Sequence, residues 1–376
     1  MTRNKLRRFL IAILVVVALV VLGGLAYLQH PLFGKLPSGE RLAQIAKSPN
    51  QANGTFRNQI DTPMLTTDES QVSMWMGTIF GANNNARPSA DIPATKTDLK
   101  ALDVSQDLIV WLGHSSYFVQ LDGQRILIDP VFSVNAAPVP RANVAFDGTS
   151  IYTADDMPAI DALLISHDHY DHLDYPSIRA LQSKVKKVVV GLGIGADFEA
   201  WGYDMQTVHE ADWYDTVPVG PTLQINVTPA RHFSGRTFTR DRTLWAGFAL
   251  VSSQRRIFFS GDSGYGPHFA DIGQRFGPFD WVAVDMGQYD PRWANVHMNP
   301  EQASQAAKDL RARVLAPAHV GRFSLAPHDW DDPLKRISAA GGGDRGYELW
   351  TPQIGQTMYL DGRAQRFKAW WEGVGG

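Results

Sequence analysis

The chain has 376 residues, of which 44% are hydrophobic and 19% are charged, as in ordinary globular proteins. Its net charge of -3 comes from 35 basic and 38 acidic side chains that are mixed along the sequence. This balance gives no basic stripe for a phosphate backbone, so nucleic acid is not expected as a partner. The absence of cysteine excludes disulfides, thiolate metal ligands and a cysteine nucleophile, so any metal must be held by His, Asp and Glu.

The N-terminus has the pattern of a membrane segment. Four basic side chains in the first eight residues precede the uncharged stretch 9–28, which spans about 30 Å as a helix. A cleavable signal peptide is the alternative, but its apolar region is typically about 7–15 residues long and ends at a small-x-small site. We therefore predict an uncleaved anchor at 1–30. The positive-inside rule places its N-terminus in the cytoplasm and the remaining chain on the periplasmic or extracellular side.

Residues 31–100 are rich in Pro, Asn, Ser, Thr and Gly, a composition that predicts little regular structure. We interpret them as a linker followed by an irregular arm that lies over a domain at 101–376. The domain begins where short apolar segments alternate with turn residues, as at Asp122-Gly123, a strong hairpin signal.

Strands alternate with helices in two successive halves of this domain. The segments 176–182 and 300–312 predict helices, and the second begins at Asn299 and Pro300. The pattern predicts an α/β domain with two central sheets and helices outside. The predicted strands are 108–113, 117–121, 125–129, 161–166, 187–191, 222–229, 244–252, 256–260, 281–286 and 314–318.

One loop concentrates side chains that bind metals. The sequence His-Asp-His-Tyr-Asp-His at 167–172 follows an apolar strand and places three histidines and two aspartates within six positions. Such groups are costly to bury together unless a cation holds them. An exposed polar loop is the alternative, but the spacing after a hydrophobic strand favours a metal. Residues two apart in a turning loop can face one ion while the next Asp-His pair faces a second.

Further candidate ligands follow other apolar strands. His232 comes after strand 222–229, Asp262 after 256–260 and His319 after 314–318. Sheet proteins place reactive groups on loops held by rigid elements, and the same placement occurs here three times. Two metal ions need more ligands than one loop can give, and these three residues supply them.

The complete set resembles the metallo-beta-lactamase superfamily, whose members carry His-x-His-x-Asp-His, a distant His, a bridging Asp and a last His in this order. The sequence is most similar to the group that contains N-acylphosphatidylethanolamine-hydrolysing phospholipase D. The similar segments are Trp-Leu-Gly-His-Ser-Ser at 111–116, Leu-Ile-Asp-Pro-Val-Phe-Ser at 127–133, the loop and its flanks at 164–175, Phe-Ser-Gly-Asp-Ser-Gly-Tyr at 259–265, Arg-Phe-Gly-Pro-Phe-Asp at 275–280 and Asp-Pro-Arg-Trp at 290–293.

The resemblance implies an αββα sandwich, two mixed sheets flanked by helices, with the transmembrane helix as an addition outside it. It also implies two zinc ions bridged by Asp262. One zinc would be held by His167, His169 and His232, and the other by Asp171, His172 and His319. The arm and the segment 136–159 align poorly with the group, so lipid selectivity is the least supported part of the analogy.

The resemblance also suggests roles in the reaction. Asp171, Asp262 and His297 would be catalytic, His297 by contacting phosphate or protonating the leaving group, with a capping histidine as the alternative. Substrate contacts are expected from Arg236, Arg292 and Tyr170, although both arginines could instead form structural salt bridges. Asp129 is expected to hold a ligand histidine, and His114 is a supporting or core residue.

The sequence thus favours a membrane-anchored zinc phosphodiesterase that releases an N-acylethanolamine and phosphatidic acid. The alternative is a zinc hydrolase of another ester-like substrate, such as a lactone or a soluble phosphodiester, because fold and metals alone do not separate them. A non-enzymatic protein with structural zinc is disfavoured by the complete ligand set. Met74, Trp75, Met76 and Phe80 in the arm are candidates for an apolar lip that contacts acyl chains. The sequence does not define the oligomeric state and allows a homodimer.

Overall fold

The computed structural model describes residues 3–69, 83, 85–340 and 345–375. It begins with helix α1 (Arg3–Tyr27), which has a mean hydropathy of 3.1 over its most apolar 18 residues, none of them buried. The predicted N-terminal apolar helix is thereby confirmed, and it is long enough to cross a membrane. A signal sequence meets the same criterion of length and hydropathy. The predicted lip residues Met74, Trp75, Met76 and Phe80 lie outside the described residues.

Residues 31–69 carry little regular structure and pack along the domain. Their regular elements are a 3-10 turn (Pro31–Phe33), helix α2 (Glu40–Ile45) and a hairpin of β1 (Gln51–Ala52) and β2 (Thr55–Phe56). Ile45 and Phe56 are buried in the central core of the domain. This part of the predicted linker and arm is therefore held against the folded body.

Two seven-stranded mixed sheets form the centre of the described structure, with the strand orders β16-β3-β4-β5-β6-β7-β8 and β15-β14-β13-β12-β11-β10-β9. The strands are β3 (Leu108–Gly113), β4 (Ser116–Leu121), β5 (Gln124–Ile128), β6 (Ala162–Ile165), β7 (Val188–Gly191), β8 (Val208–Ala211), β9 (Thr216–Val219), β10 (Leu223–Thr228), β11 (Gly247–Val251), β12 (Arg256–Phe259), β13 (Trp281–Asp285), β14 (Val314–Ala318), β15 (Glu348–Leu349) and β16 (Thr357–Tyr359).

Helices cover the outer face of each sheet. The first sheet carries α3 (Tyr175–Leu181) and α4 (Gly195–Ala200), and the second carries α5 (His268–Phe276), α6 (Pro300–Asp309) and α7 (Asp332–Ala339). Three buried apolar clusters separate the layers, one between the sheets and one under each helical layer. The predicted αββα sandwich is confirmed.

Side chains alternate between the two faces of each strand, so one strand contributes to two buried clusters. In β6, Leu164 belongs to the cluster between the sheets, whereas Leu163 and Ile165 belong to the cluster under the helices. Successive strand side chains point to opposite faces, so a strand covered on both sides is apolar throughout. Each fully buried aliphatic side chain contributes about 1.5–3 kcal/mol. Trp370 and Trp371 are also buried in the central cluster, where they pack against the domain.

A hydrogen bond crosses the central core from one sheet to the other. Tyr117 on β4 donates its hydroxyl proton to the carbonyl oxygen of Pro317 on β14 at 2.6 Å. Its ring also contacts Phe259 and Trp281 edge to face, with centroids 5.8 and 5.4 Å away. The surroundings are dry, because Tyr117 is only 1% exposed. The two sheets are therefore fixed to each other by a polar contact as well as by apolar packing.

The segment that follows α1 is bonded to the domain. Trp201 donates its indole proton to the carbonyl oxygen of Pro31 at 2.8 Å, and the amide of Lys35 donates to Asp197 Oδ1 at 2.7 Å. Asp197 lies on α4 and is only 2% exposed. Burial raises the pKa of this carboxyl to about 7. A titratable contact thus lies between the domain and the apolar helix.

Replacement of Tyr117 by Phe is expected to destabilise the fold. The variant keeps the ring contacts but leaves the Pro317 carbonyl oxygen without its donor, which should lower the free energy of unfolding by about 1–3 kcal/mol. Denaturant unfolding of the full chain in detergent measures this change. Tyr359→Phe, on the edge strand β16 where the ring is half-buried, is the matched control and should cost under about 0.5 kcal/mol. Equal losses in both variants would contradict the importance of the contact between the sheets.

Replacement of Asp197 by Asn is expected to change how stability depends on pH. The folded pKa of about 7 exceeds the unfolded value of about 4, so the folded state retains a proton that the unfolded state releases. This contribution is complete below about pH 4 and is lost as the pH rises through 7. Asn keeps the acceptor for Lys35 without the charge. The stability of the variant relative to the parent should therefore rise by about 2 kcal/mol or more between pH 4 and 8, as measured by unfolding at each pH. A constant difference would show that Asp197 does not titrate in this range.

Candidate metal centre

Seven of the strands that run toward one edge of the sandwich carry polar residues at or just after their ends. In the first sheet β3 is antiparallel to β4, β4 is antiparallel to β5, and β5 is parallel to β6, so β3, β5 and β6 share one direction. In the second sheet β10, β12, β13 and β14 share a direction by the same reasoning. Polar residues at or just after these strand ends are His114, Asp129, His167, His232, Asp262, Asp285 and His319.

Three of these residues have a backbone conformation that is unusual for residues other than glycine. His114, Asp129 and His319 have φ angles of 54°, 41° and 62°, each directly after a strand. The left-handed region costs such residues about 1–2 kcal/mol each, so the fold stabilises them in spite of local strain. The backbone of His319 also packs closely against Gly287, where a Cβ atom would lie 1.8 Å from the His319 carbonyl oxygen.

The first ligand group contains His167, His169, His232 and Asp262. The Nδ1 atom of His169 lies 2.8 Å from His167 Nε2 and 3.3 Å from His232 Nε2. Asp262 Oδ2 lies 3.7 Å from His167 Nε2 and 3.8 Å from His232 Nε2. All four ligand atoms lie within 4.8 Å of one another. Ligands bound to zinc at 2.0–2.2 Å in a tetrahedron are about 3.3–3.6 Å apart, and these separations are similar.

The second ligand group contains Asp171, His172, His319 and His114. Asp171 Oδ2 lies 2.9 Å from His114 Nε2, 3.0 Å from His319 Nε2 and 3.4 Å from His172 Nε2. Asp262 reaches this group as well, since its Oδ1 lies 3.1 Å from His172 Nε2 and its Oδ2 lies 3.3 Å from His319 Nε2. One carboxylate therefore faces both groups, as a bridging ligand would.

The donor set fits divalent metal ions. Among the described residues, His172 Nε2 and Asp262 Oδ1 are buried without a hydrogen-bond partner, although they face each other across the centre. Burial lowers the pKa values of His167 and His232 well below the ordinary value, whereas the Asp262 carboxylate raises the pKa values of His172 and His319, which would release their protons on binding a metal. Metal binding requires neutral imidazole and ionised carboxylate, and zinc accepts both ligand types.

Further polar groups orient the histidines. Asp129 Oδ2 accepts a hydrogen bond from His172 Nδ1 at 2.8 Å, and the same carboxylate accepts both the amide and the hydroxyl protons of Ser166. The Ser166 hydroxyl lies 2.9 Å from His167 Nδ1. The Asp129 carboxylate thus contacts His172 directly and His167 through a serine. Such contacts set which ring nitrogen faces a metal.

Asp285 was not among the residues singled out from the sequence. It ends β13, and its two oxygens accept hydrogen bonds from His297 Nδ1 at 2.7 Å and from His319 Nδ1 at 3.2 Å. The available signal was its position at the end of an apolar strand, the same signal that identified Asp262. His297 is half-buried beside both ligand groups, with its ring 5.0 Å from that of His232 and 5.1 Å from that of His319.

The predicted substrate residues Tyr170 and Arg236 contact each other. The Arg236 guanidinium lies over the Tyr170 ring at 4.2 Å, and it donates to the carbonyl oxygens of Leu32, Asp168 and Leu173. The Tyr170 hydroxyl donates to the Arg236 carbonyl oxygen. These contacts engage the guanidinium group of Arg236 and the hydroxyl group of Tyr170 in structural hydrogen bonds. A substrate role for either residue stays a prediction.

Arg292 and Asp168 are likewise engaged in local contacts. Arg292 forms a fork with both oxygens of Asp290, at 2.7 and 3.0 Å. Asp168 lies between two ligand histidines in sequence, but its oxygens accept protons from the Gly235 amide and the Thr243 hydroxyl. The carboxylate of Asp168 thereby fixes the loop that follows β10. The substrate role of Arg292 also remains a prediction.

A cavity of about 420 Å³ adjoins the first ligand group. His232 and Phe233 form part of its wall, and the segment 56–64 forms another part. Asn58 holds this segment in place, because it donates to the His232 carbonyl oxygen at 2.8 Å and accepts from the His232 amide at 3.0 Å. Substrate-sized space thus lies directly beside a ligand histidine.

Comparisons with known proteins agree with this geometry. The beta-lactamase superfamily domain matches residues 124–320. An uncharacterised protein of Mycobacterium tuberculosis is 36% identical over 86% of this chain and 88% of its own length. An N-acyl-phosphatidylethanolamine-hydrolyzing phospholipase D of Caenorhabditis elegans is 32% identical over 61% of this chain and 69% of its own length.

A solved structure supports the same fold. The metallo hydrolase Igni18 of the archaeon Ignicoccus hospitalis superposes with a TM-score of 0.52 at 23% identity, over 67% of this chain and 97% of that one. The family implies divalent metals, and the described His and Asp groups are placed to bind them. The chain therefore belongs to the beta-lactamase superfamily of metal-dependent hydrolases and is homologous to the N-acylphosphatidylethanolamine-hydrolysing phospholipases D.

Proposed function

We propose that the protein is a zinc-dependent phosphodiesterase that hydrolyses N-acylphosphatidylethanolamine to an N-acylethanolamine and phosphatidic acid. The observation that carries the proposal is the pair of ligand groups joined by the Asp262 carboxylate, with half-buried His297 beside both. The C. elegans relative is an N-acyl-phosphatidylethanolamine-hydrolyzing phospholipase D, which suggests this substrate class.

Each ligand group would hold one zinc ion. His167, His169 and His232 would bind the first, Asp171, His172 and His319 the second, and Asp262 both. When bound, two zinc ions supply a hydroxide nucleophile near neutral pH and stabilise the charge that develops on the phosphoryl oxygens. His114, which contacts Asp171 at 2.9 Å, would orient that carboxylate.

The residues of the chain provide the remaining steps. In the net reaction, the oxygen of water bonds to phosphorus and the bond from phosphorus to the N-acylethanolamine oxygen breaks. The leaving oxygen needs a proton, and His297 is the candidate donor through Nε2, because Asp285 fixes its Nδ1 at 2.7 Å. The proton is replaced from the attacking water, so the histidine returns to its starting state.

We further propose that α1 is a retained single-pass anchor, with its N-terminus in the cytoplasm and the catalytic domain on the periplasmic or extracellular side. The four basic side chains before the apolar stretch support this orientation. An anchored hydrolase is placed at the surface of its proposed lipid substrate.

Zinc-loaded full-length protein in mixed micelles is expected to release N-acylethanolamine and phosphatidic acid from N-acylphosphatidylethanolamine. Asp262→Asn should bind less metal and lose at least about 10³-fold in turnover, because the bridging charge is removed. Product analysis by mass spectrometry and metal analysis on the same samples measure both effects. The control, Asp155→Asn, changes an exposed carboxylate and should match the parent. A parent that holds two zinc ions without forming these products would favour a lactone or a soluble phosphodiester as substrate.

The loss of activity in His297→Gln is expected to depend on how strongly the leaving group of the substrate needs a proton. Turnover of the lipid, whose alkoxide needs a proton, should fall about 10²–10⁴-fold, whereas a p-nitrophenyl phosphodiester should be hydrolysed nearly as fast as by the parent. Steady-state kinetics with both substrates give this ratio. His209→Gln, on the edge strand β8, is the control histidine. An equal loss with both substrates would indicate that His297 positions the centre and does not transfer the proton.

A further inference from the structure

A second cavity, of about 600 Å³, lies between the end of α1 and the loop 133–141. This groove is distinct from the cavity beside His232, with which it shares no lining residue. Apolar and aromatic side chains make up most of its wall, among them Tyr27, Leu32, Val134, Pro138 and Tyr175. Its volume is within the range of about 300–1,000 Å³ that is typical of small-ligand sites.

The groove is placed at the end of the proposed membrane helix. Tyr27 is the last residue of α1, and its hydroxyl donates to the carbonyl oxygen of Pro138. A few residues further on, the Leu32 carbonyl oxygen accepts from Arg236 Nη2 at 2.6 Å. The apolar helix, the loop and the domain are thus bonded around the groove. If α1 crosses the bilayer, the opening of the groove lies at the level of the lipid headgroups.

The loops around this opening expose apolar side chains. Val134 and Val139 on the loop 133–141 are 56% and 57% exposed, and Phe238 is 93% exposed, more than any other large apolar side chain described outside α1. Phe238 follows Thr237, which lines a neighbouring cavity together with Leu28. A bilayer would remove these side chains from water, and aromatic rings favour its interface.

The metal-binding loop contributes to the wall of the groove. Tyr170 lines the groove and is the residue between His169 and Asp171 in sequence, and Tyr175 and Pro176 at the start of α3 line it as well. Exposed Arg141 stands at the groove and offers a positive charge to a phosphate group. Apolar walls with a basic group suit an acyl chain attached to a phosphorylated headgroup.

We propose that this groove binds an acyl chain of a bilayer phospholipid, so that the membrane helix itself forms one wall of the lipid site. The proposal rests on the proposed function for the identity of the lipid as substrate. The segment 27–32 would then line the lipid site and also connect the helix to the domain.

Photocrosslinking tests the groove without requiring turnover. The full chain is reconstituted in nanodiscs that contain a phosphatidylethanolamine with a diazirine near the end of one acyl chain, irradiated and mapped by mass spectrometry. We expect crosslinks within 133–141 and 170–176. Ala137→Trp places a large ring in the groove and should reduce crosslinks at 170–176 at least fivefold. Val104→Trp, at a 40% exposed position that does not line the groove, should leave them unchanged. Crosslinks confined to 3–27, or equal yields in both variants, would overturn the proposal.

A kinetic comparison separates this proposal from the proposed reaction. Ala137→Trp should lower turnover of long-chain substrate in vesicles about tenfold and leave a short-chain soluble phosphodiester unaffected. Val134→Asp, which adds a charge at an exposed position and is tolerated by the fold for that reason, should act in the same direction on vesicles. Equal loss on both substrates would count against the groove. Crosslinks inside the groove in a parent without phosphodiesterase activity would support the lipid site and contradict the proposed reaction.

Discussion

The carboxylate of Asp262 is only 3% exposed and stands between two groups of histidines, and the arrangement of the centre depends on how that charge is balanced. Burial of an ionised carboxylate without partners costs several kcal/mol, so the side chain needs cations or strong donors on both sides. Its Oδ2 atom faces histidines of both ligand groups and its Oδ1 atom faces His172, which joins the loop after β6, the loop after β10 and the end of β14 into one unit. The two halves of the sandwich meet at this residue as well as across the apolar core.

The rigid sheets hold this buried and locally strained arrangement in place. Three residues of the centre have positive φ angles, and most of its carboxylates and histidines are buried. Local strain and desolvation of this kind persist only where the surrounding structure fixes the chain. The contact from Tyr117 to Pro317 lies on β14, the strand that ends directly before His319. Sheet packing and ligand position are therefore coupled through a short stretch of backbone.

Sequence reasoning identified the elements whose signal is local. The strand β14 was predicted with its observed bounds, and the strands before His167 and Asp262 were placed within one residue at each end, because apolar runs bounded by polar turns mark buried strands. The short strands β8 and β9 and the helices α5 and α7 were missed, since they are short or mix polar with apolar residues. The pairing of β16 with β3 joins residues over two hundred positions apart and has no local pattern.

The same distinction applies to the centre. The ligand candidates were found because they are histidines and aspartates in a recognisable order, and the structure brings all seven together. Asp285 was overlooked because one aspartate at a strand end resembles many others. Arg236 and Tyr170 were expected to contact substrate, whereas both donate to backbone carbonyl groups that no side-chain pattern reveals.

The hydrogen bonds that join Pro31 and Lys35 to the domain affect how the protein would encounter a substrate. A catalytic body on a long flexible tether samples many orientations and can capture molecules from the surrounding solution. Here the connection is short and bonded, so a retained α1 would hold the domain in one orientation on one leaflet. Encounter would then proceed by lateral diffusion in two dimensions, and the rate would follow the mole fraction of lipid in the membrane instead of its concentration in bulk.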